Sequence, residues 1–318
     1  MNQNKLDLIF KAYDVRGIYG DTLTLETAYN IGVAFSEFVQ SEKIIVGHDG
    51  RTSNLEIFNA IATGIKSKNK DVHYIGTVPT DVVYSLSGLL DLPGLIITAS
   101  HNPKEWNGFK FCNRGASPIG VESGLLEIKK LASKNYALPL VLAESKKEDV
   151  TDIYINHLKE IVNPEHINSS IKFAIDGGNG AIGSVIDSLS SKYGLNYEGI
   201  YMDVDGTFPN HPADPSNPKN LEELVDLVLE KNYQFGVAFD GDADRAVFSD
   251  DKGNIISGSI MTAIISDWLL AKRGEIKVVH NVNVPPSVTS YLNKKGVNLI
   301  RSKVGHSYIK QIMRDEDA

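Results

Sequence analysis

Two rhythms of apolar and polar positions run along this chain, one helical and one typical of buried strands. Between Thr24 and Val39 the residues Leu25, Ala28, Ile31, Phe35 and Phe38 fall at helical spacing, which predicts a helix. Lys43–Arg51 (KIIVGHDGR) is a short apolar run ending in turn residues, the pattern of a strand covered on both faces in a parallel sheet. A helix over Asn54–Lys66 follows, then strands at Val72–Ile75 and Leu95–Thr98. The second of these runs into Ser100-His101-Asn102-Pro103, and the chain returns as Gly108–Phe111.

This order then repeats. Ile171–Ile175 reads as a strand, Gly177–Gly180 as a tight turn and Ser184–Ser191 as a helix. A strand near Tyr197–Tyr201 precedes a helix over Leu221–Glu230, for which Asn220 and Glu223 are the expected cap. Gly236–Phe239 enters an acidic loop, and Arg245–Phe248 leaves it. A third round has a strand at Ile276–Val279, a helix over Pro286–Lys294 and a strand at Val297–Ile300, and reaches the loop Lys303-Val304-Gly305-His306. Alternation of this kind predicts an α/β class with mixed, mostly parallel sheets, and it places equivalent loops at the carboxyl ends of equivalent strands. The polar stretches Lys134–Asp149 and Ser249–Asn254 are the expected boundaries, giving domains over residues 1–146, 147–249 and 250–318.

Composition narrows the function. At 318 residues and a net charge of −8, with Lys and Arg dispersed, the chain is large enough for two or three cores and unsuited to non-specific nucleic-acid binding. Cys112 is the only cysteine, so no intrachain disulfide forms and a reducing cytoplasm is expected. The start MNQNKLDLIF lacks the basic and apolar regions of a signal peptide. No apolar run approaches the ~18 residues a membrane helix needs, so no membrane partner is expected.

The strongest chemistry lies in Val237–Phe248, VAFDGDADRAVF. Asp240, Asp242 and Asp244 alternate with small residues, so three carboxylates can converge, a costly arrangement unless a cation compensates it. Hard oxygen ligands without nearby Cys or His favour Mg²⁺. An EF-hand loop is excluded, because its sixth and twelfth positions would be Gly and Glu, and here they are Arg245 and Asp251. An Asp-rich solvated turn is the bland alternative. Ser100 occupies in the first repeat the place that the acidic loop occupies in the second. A serine facing such a loop suggests phosphoryl chemistry, with Lys110 on the return strand supplying charge or a proton. A competing pattern, Gly178-x-Gly180-x-x-Gly183 with Glu198 about twenty residues on, matches the dinucleotide-binding outline but leaves Ser100 and the Asp loop unexplained.

Taken in order, FKAYDVRG (Phe10–Gly17), TASHNP (Thr98–Pro103) with NGFK (Asn107–Lys110), DGDADR (Asp240–Arg245) and KVGHS (Lys303–Ser307) resemble the α-D-phosphohexomutase superfamily, and within it the phosphomannomutase/phosphoglucomutase branch. The resemblance covers essentially the whole chain. It implies repeated three-layer α/β/α domains and reversible conversion of hexose 6-phosphate and hexose 1-phosphate through a phosphoserine and a sugar bisphosphate. By this resemblance Ser100 is the phosphoserine, and Asp240, Asp242 and Asp244 with its phosphate hold Mg²⁺. His101, Lys110 and Arg245 would steady the phosphoryl group or move protons, while Tyr13, Arg16, Lys303, Gly305 and His306 would contact the phosphosugar.

Two departures qualify the expectation. Asn283 stands where the family commonly has Lys, and an acidic residue is usual near Asn281. The sugar-reading GE-x-SGH-like loop and the family's fourth domain do not occur before Ala318. The expectation is therefore a chain truncated within the third domain, weakly active or inactive by itself. The alternative is a non-catalytic, metal- and phosphosugar-binding fragment or degenerate relative.

Overall fold

The computed structural model describes residues 3–163 and 167–318, with the backbone alone for Gln3, Asn4, His306 and Ser307. The chain forms two compact units, one of Met1–Ala246 with Asp251–Gly253 and one of Val247–Asp250 with Asn254–Ala318.

The first repeat, in unit 1, contains α1 (Gln3–Ile9), β1 (Val15–Ile18), α2 (Leu25–Phe38), β2 (Lys43–His48), α3 (Asn54–Lys66), β3 (Asp71–Thr77) and α4 (Thr80–Leu90). It continues with β4 (Gly94–Ile97), β5 (Trp106–Asn113), β6 (Ser117–Pro118) and α5 (Leu125–Ala132). The sheet order is β1-β5-β4-β2-β3, with β6 on β5. Strand β2 runs parallel to β3 and β4, whereas β5 is antiparallel to β4 and β1. Every residue of β2 except Lys43 is buried, because helices cover both faces of a parallel sheet. Phe35, Phe58, Phe109 and Phe111 fill the core between sheet and helices.

The second repeat is smaller: α6 (Thr151–Ile161), β7 (Lys172–Asp176), α7 (Gly183–Tyr193), β8 (Asn196–Ile200), α8 (Glu222–Lys231) and β9 (Phe235–Phe239). Its strands run parallel in the order β9-β7-β8. Parallel strands end on the same edge of a sheet, so β2, β4, β7 and β9 deliver Asp49, Ser100, Asp176 and Asp240 from equivalent ends. This is the topological reason that the two repeats can combine their loops.

Unit 2 contains most of β10 (Ala246–Asp250), then β11 (Ile255–Ile256), α9 (Gly258–Arg273), β12 (Lys277–Asn281), α10 (Pro286–Lys294), β13 (Asn298–Ser302) and α11 (His306–Glu316). Strands β12 and β13 are parallel, over a small core of Ile276, Val288, Leu292 and Val297. Among the described residues no helix is long and apolar enough to cross a membrane.

The expected cap at Asn220 and Glu223 does not form. A 3₁₀ turn over Pro218–Leu221 precedes α8, whose N-cap residue Leu221 has no side-chain bond to offer. Asn220 instead donates to the carbonyls of Pro212 (3.1 Å) and Asp214 (2.8 Å), and Glu223 accepts from the Tyr201 hydroxyl. The long β8–α8 connection thus claims both side chains, Asn220 through backbone carbonyls and Glu223 through the Tyr201 hydroxyl.

A second tie fixes this connection. His211 Nε2 lies 2.9 Å from Asp176 Oδ2 and Nδ1 lies 2.9 Å from the Pro212 carbonyl. Both neighbours are acceptors, so the doubly protonated ring satisfies both. The hydrogen bond to Asp176 raises the His211 pKa, against burial, with the Pro212 carbonyl and the charges of Asp176 and Glu223 adding to the rise. The folded state therefore holds this proton to higher pH than the unfolded chain does. The resulting stability is fully present below about pH 6.5 and declines as pH rises through the raised value. Thermal unfolding across that range should show wild-type Tm falling relative to His211→Gln; parallel curves would show that the tie contributes nothing.

Candidate active site

The Ser100 loop leaves the carboxyl end of β4, where antiparallel β5 turns the chain back. Ser100 is buried, 2% exposed, and adopts φ +54°, a left-handed conformation unfavourable for a residue with a Cβ. Its N–H donates to Thr98 Oγ1 at 2.8 Å. The acidic loop leaves β9 in the same way, and its turn is closed by Ala243 N–H donating to the Asp240 carbonyl at 2.9 Å. Gly180, in the turn after β7, allows this loop to approach: a Cβ there would lie 2.7–3.1 Å from Gly241 backbone atoms. Of the glycine pattern after β7, Gly180 is thus explained by packing against the acidic loop and Gly183 by packing against the Met202 backbone.

The two loops meet. Ser100 Oγ donates to Asp240 Oδ2 at 2.6 Å across 140 residues of sequence. Arg245 Nη2 donates to Ser100 Oγ at 2.9 Å and also bonds His101 Nδ1, which lies 3.2 Å from the same oxygen. The Arg245 Nε–H and main-chain N–H donate to Asp240 Oδ2 (3.0 Å) and Oδ1 (3.1 Å). Lys110 Nζ, 11% exposed, donates to Asp242 Oδ2 and to Asp244 Oδ2, each at 2.6 Å.

Carboxylate oxygens of Asp240, Asp242 and Asp244 lie within 4.8 Å of one another, with the first two residues fully buried. Burial, reinforced by the charges of Asp242 and Asp244, raises the Asp240 pKa. At Asp242 burial acts in the same direction, but Lys110 and the hydroxyl donors outweigh it and the pKa falls. Lys110 is likewise held protonated by the two aspartates despite its burial. Burial and the nearby Arg245 and Arg16 lower the His101 pKa, so its ring is neutral near pH 7. Two cations, Lys110 and Arg245, face three carboxylates, so that with all three ionised one negative charge is left uncompensated. Asp242 Oδ1 is buried and has no hydrogen-bond partner. A hard cation suits both facts, since it would supply the missing charge and the missing partner for that oxygen.

The structure brings together eight of the sequence-predicted residues. Ser100, His101, Lys110, Asp240, Asp242, Asp244 and Arg245 form one cluster, and Arg16 joins it by donating Nη1 to Asn102 Oδ1 at 2.6 Å. Tyr13, in the bend just before β1, is partly buried. Lys303 and Gly305 belong to unit 2, where Lys303 Nζ lies 5.6 Å from the Tyr308 ring centroid and Gly305 precedes α11; the side chain of His306 lies outside the described residues. Sequence reasoning missed Thr80, the first residue of α4. Its hydroxyl donates to Asp242 Oδ2 at 2.6 Å, and its N–H donates to the Asp242 carbonyl at 2.9 Å. It also missed Asp49 and Arg51, although both stand in the turn of KIIVGHDGR. A cavity of about 550 Å³ opens beside His101, lined in part by Asn102, Lys104, Phe208 and Asp214.

Comparison with known proteins agrees along the chain. Family profiles described as phosphoglucomutase/phosphomannomutase alpha/beta/alpha domains I, II and III match residues 7–137, 152–253 and 257–318. A phosphomannomutase of Escherichia coli is 33% identical over 97% of this chain and 70% of its own length. One from Methanocaldococcus jannaschii is 34% identical, over 98% and 69%. The crystal structure of a phosphoglucomutase/phosphomannomutase family protein from Burkholderia thailandensis superposes with a TM-score of 0.88 at 29% identity, covering 100% of this chain and 70% of that one.

The orphaned Asp242 oxygen yields a test. Titration calorimetry should detect Mg²⁺ binding to the wild type, and Asp242→Asn should weaken it on the order of tenfold or more through loss of a hard anionic ligand. Equal affinities in the two proteins would contradict a cation site at this loop.

Proposed function

The chain belongs to the phosphoglucomutase/phosphomannomutase family and has a phosphohexomutase function, and on that footing we propose that Ser100 carries the phosphoryl group in transit. The observation that supports this most is the 2.6 Å contact between Ser100 Oγ and Asp240, beside two further aspartates and Arg245. A nucleophilic hydroxyl is thereby fixed where anionic charge can be neutralised, which is what phosphoryl transfer demands of a protein.

The substrates proposed are hexose 6-phosphate and hexose 1-phosphate, of mannose or glucose, with the sugar bisphosphate as intermediate. In one direction the Ser100 Oγ–P bond breaks as a P–O bond to a sugar hydroxyl forms; that hydroxyl releases its proton, and Ser100 Oγ takes one up. In the return step a sugar P–O bond breaks, Ser100 Oγ takes the other phosphoryl group and loses its proton, and the sugar oxygen left behind takes one up. His101 Nδ1 and Asp240 Oδ2 lie within reach of the Ser100 proton. Lys110, held protonated, serves as a fixed positive charge and hydrogen-bond donor rather than as an acid or base.

Asp240, Asp242 and Asp244, with a phosphate oxygen on Ser100, are the proposed ligands of Mg²⁺, which would supply charge neutralisation for the transferring group. A phosphoserine adds about −1.5 to −2 units of charge to a cluster already one cation short. That addition favours a divalent ion over a monovalent one. Arg245, which touches both Ser100 Oγ and His101, is assigned to steadying the phosphoryl oxygens. Tyr13 and Arg16 are proposed as phosphosugar contacts, and Lys303, Gly305 and His306 are assigned the same part from their motif alone. We divide the chain into domains over residues 1–146, 147–249 and 250–318, and place it in the cytoplasm, consistent with its single, buried cysteine, Cys112.

Incubation with glucose 1,6-bisphosphate should add one phosphate to the intact protein, and Ser100→Ala should take up none. A coupled assay should detect interconversion of mannose or glucose phosphates in the wild type and lose it in the variant. Phosphate uptake that survives Ser100→Ala would refute the assignment. Uptake without turnover would identify a phosphosugar-binding, non-mutase chain.

A further inference from the structure

The turn after β2 contains an arginine whose donors all face inward. Arg51 has a side chain with no solvent exposure, and its five N–H groups all find acceptors within the protein. Nε donates to Asp49 Oδ2 at 3.2 Å. Nη1 donates to the carbonyls of Pro103 (2.7 Å) and Trp106 (2.9 Å), and Nη2 to those of Ser100 (2.8 Å) and Asn102 (2.7 Å). None is left for a substrate anion, so this buried cation is not a phosphate-binding group. It is instead a planar fork that gathers four carbonyls of one loop, a geometry that a lysine cannot reproduce.

Asp49 anchors the fork and reaches Ser100 by a second route. Its Oδ2 also accepts from Thr98 Oγ1 at 2.7 Å, and Thr98 Oγ1 accepts from Ser100 N–H at 2.8 Å. Its Oδ1 accepts from Arg51 N–H (3.0 Å) and Asn54 Nδ2 (2.7 Å), which fix the carboxylate's own orientation. Both main-chain polar groups of Ser100 are thus gripped, the N–H through Thr98 and the carbonyl through Arg51, with one carboxylate behind both. The Phe208 ring lies 5.3 Å from the guanidinium carbon and closes the other side. Ser100 needs such support, because a left-handed non-glycine residue persists only where its surroundings over-determine it. The conformation matters because it directs Oγ at Asp240 and Arg245.

We propose that Asp49, Arg51 and Thr98 are positioning residues for the reaction, a buried brace that holds Ser100 in the left-handed turn from which its Oγ gives and takes the phosphoryl group. The proposal rests on Ser100 being the phosphoryl carrier. The brace touches no reacting atom, so its loss should lower turnover far more than substrate affinity, since small misplacements of a reacting group carry large rate penalties.

The full chain with Thr98→Val, Thr98→Ser and Arg51→Lys tests this. Thr98→Val removes the hydroxyl at nearly constant volume, and Thr98→Ser keeps it. Thr98→Val and Arg51→Lys should lower kcat on the order of a hundredfold and speed amide hydrogen exchange in residues 98–107. Their KM should stay within about threefold of wild type, and Thr98→Ser should restore kcat to within about threefold. Should Arg51→Lys fail to fold, the Thr98 pair decides by itself. Wild-type kcat and exchange in Thr98→Val would overturn the proposal, as would an equal loss in Thr98→Ser. If the wild type takes no phosphate at Ser100, the carrier assignment fails separately. Exchange in residues 98–107 then judges the brace, and unchanged exchange rejects it.

Discussion

Everything in unit 1 is arranged around a concentration of like charge that the protein must hold and neutralise. Asp240 and Asp242 are both fully buried, with carboxylate oxygens within 4.8 Å of each other. At an effective dielectric constant of about 20, two charges that close repel by at least about 3 kcal/mol. The opposed pKa shifts of the pair express this conflict: Asp240 is driven toward its neutral form while Lys110 and Thr80 keep Asp242 ionised. Such a site is stable only with cationic help. Lys110 and Arg245 supply part of it, and the partnerless Asp242 oxygen marks where the remainder belongs.

The surrounding fold supplies rigidity from both repeats. Asp242 is bonded by Thr80 at the start of α4 and by Lys110 on β5, both from the first repeat, although it stands on a loop of the second. Ser100, on a loop of the first repeat, donates in turn to Asp240 of the second. Each repeat therefore holds the other's functional residue, and neither half of the site exists in one repeat alone. Behind this exchange lies Asp49, whose ion pair with Arg51 is itself buried from solvent. Buried ion pairs add little net stability but are costly to break singly, which suits a part whose work is orientation.

Much of this was legible in the sequence, and the reasons differ by element. Helices α3 and α10 begin and end at the residues their periodicity predicts, Asn54–Lys66 and Pro286–Lys294. The parallel strands were visible because burial on both faces leaves continuous apolar runs such as IIVGH. Helix α4 was not: its sequence TDVVYSLSGLL mixes β-branched residues with Gly and Ser, and tertiary packing overrides the weak propensity. Helix α9 escaped because its apolar residues lie all round, with Ile260, Ile264, Ile265 and Trp268 among the exposed ones, so no period stands out. Ser100 and the aspartates were found from residue type and their equivalent places in the repeats. Thr80 and Arg51 could not be found that way. Pro-Thr and Asp-Gly-Arg are ordinary turn sequences, and their roles arise only from partners 162 and about 50 residues distant.

The central claim, that a serine-borne phosphate and a cation on the aspartate loop share one site, can be tested directly by phosphorus NMR of the Ser100-phosphorylated protein titrated with Mn²⁺. A paramagnetic ion held by Asp240, Asp242 and Asp244 would lie beside the phosphate. The account predicts that the phosphoserine resonance broadens beyond detection by about one equivalent of Mn²⁺ and stays sharp in Asp242→Asn. A resonance that remains sharp in the wild type, or broadens equally in the variant, would contradict it.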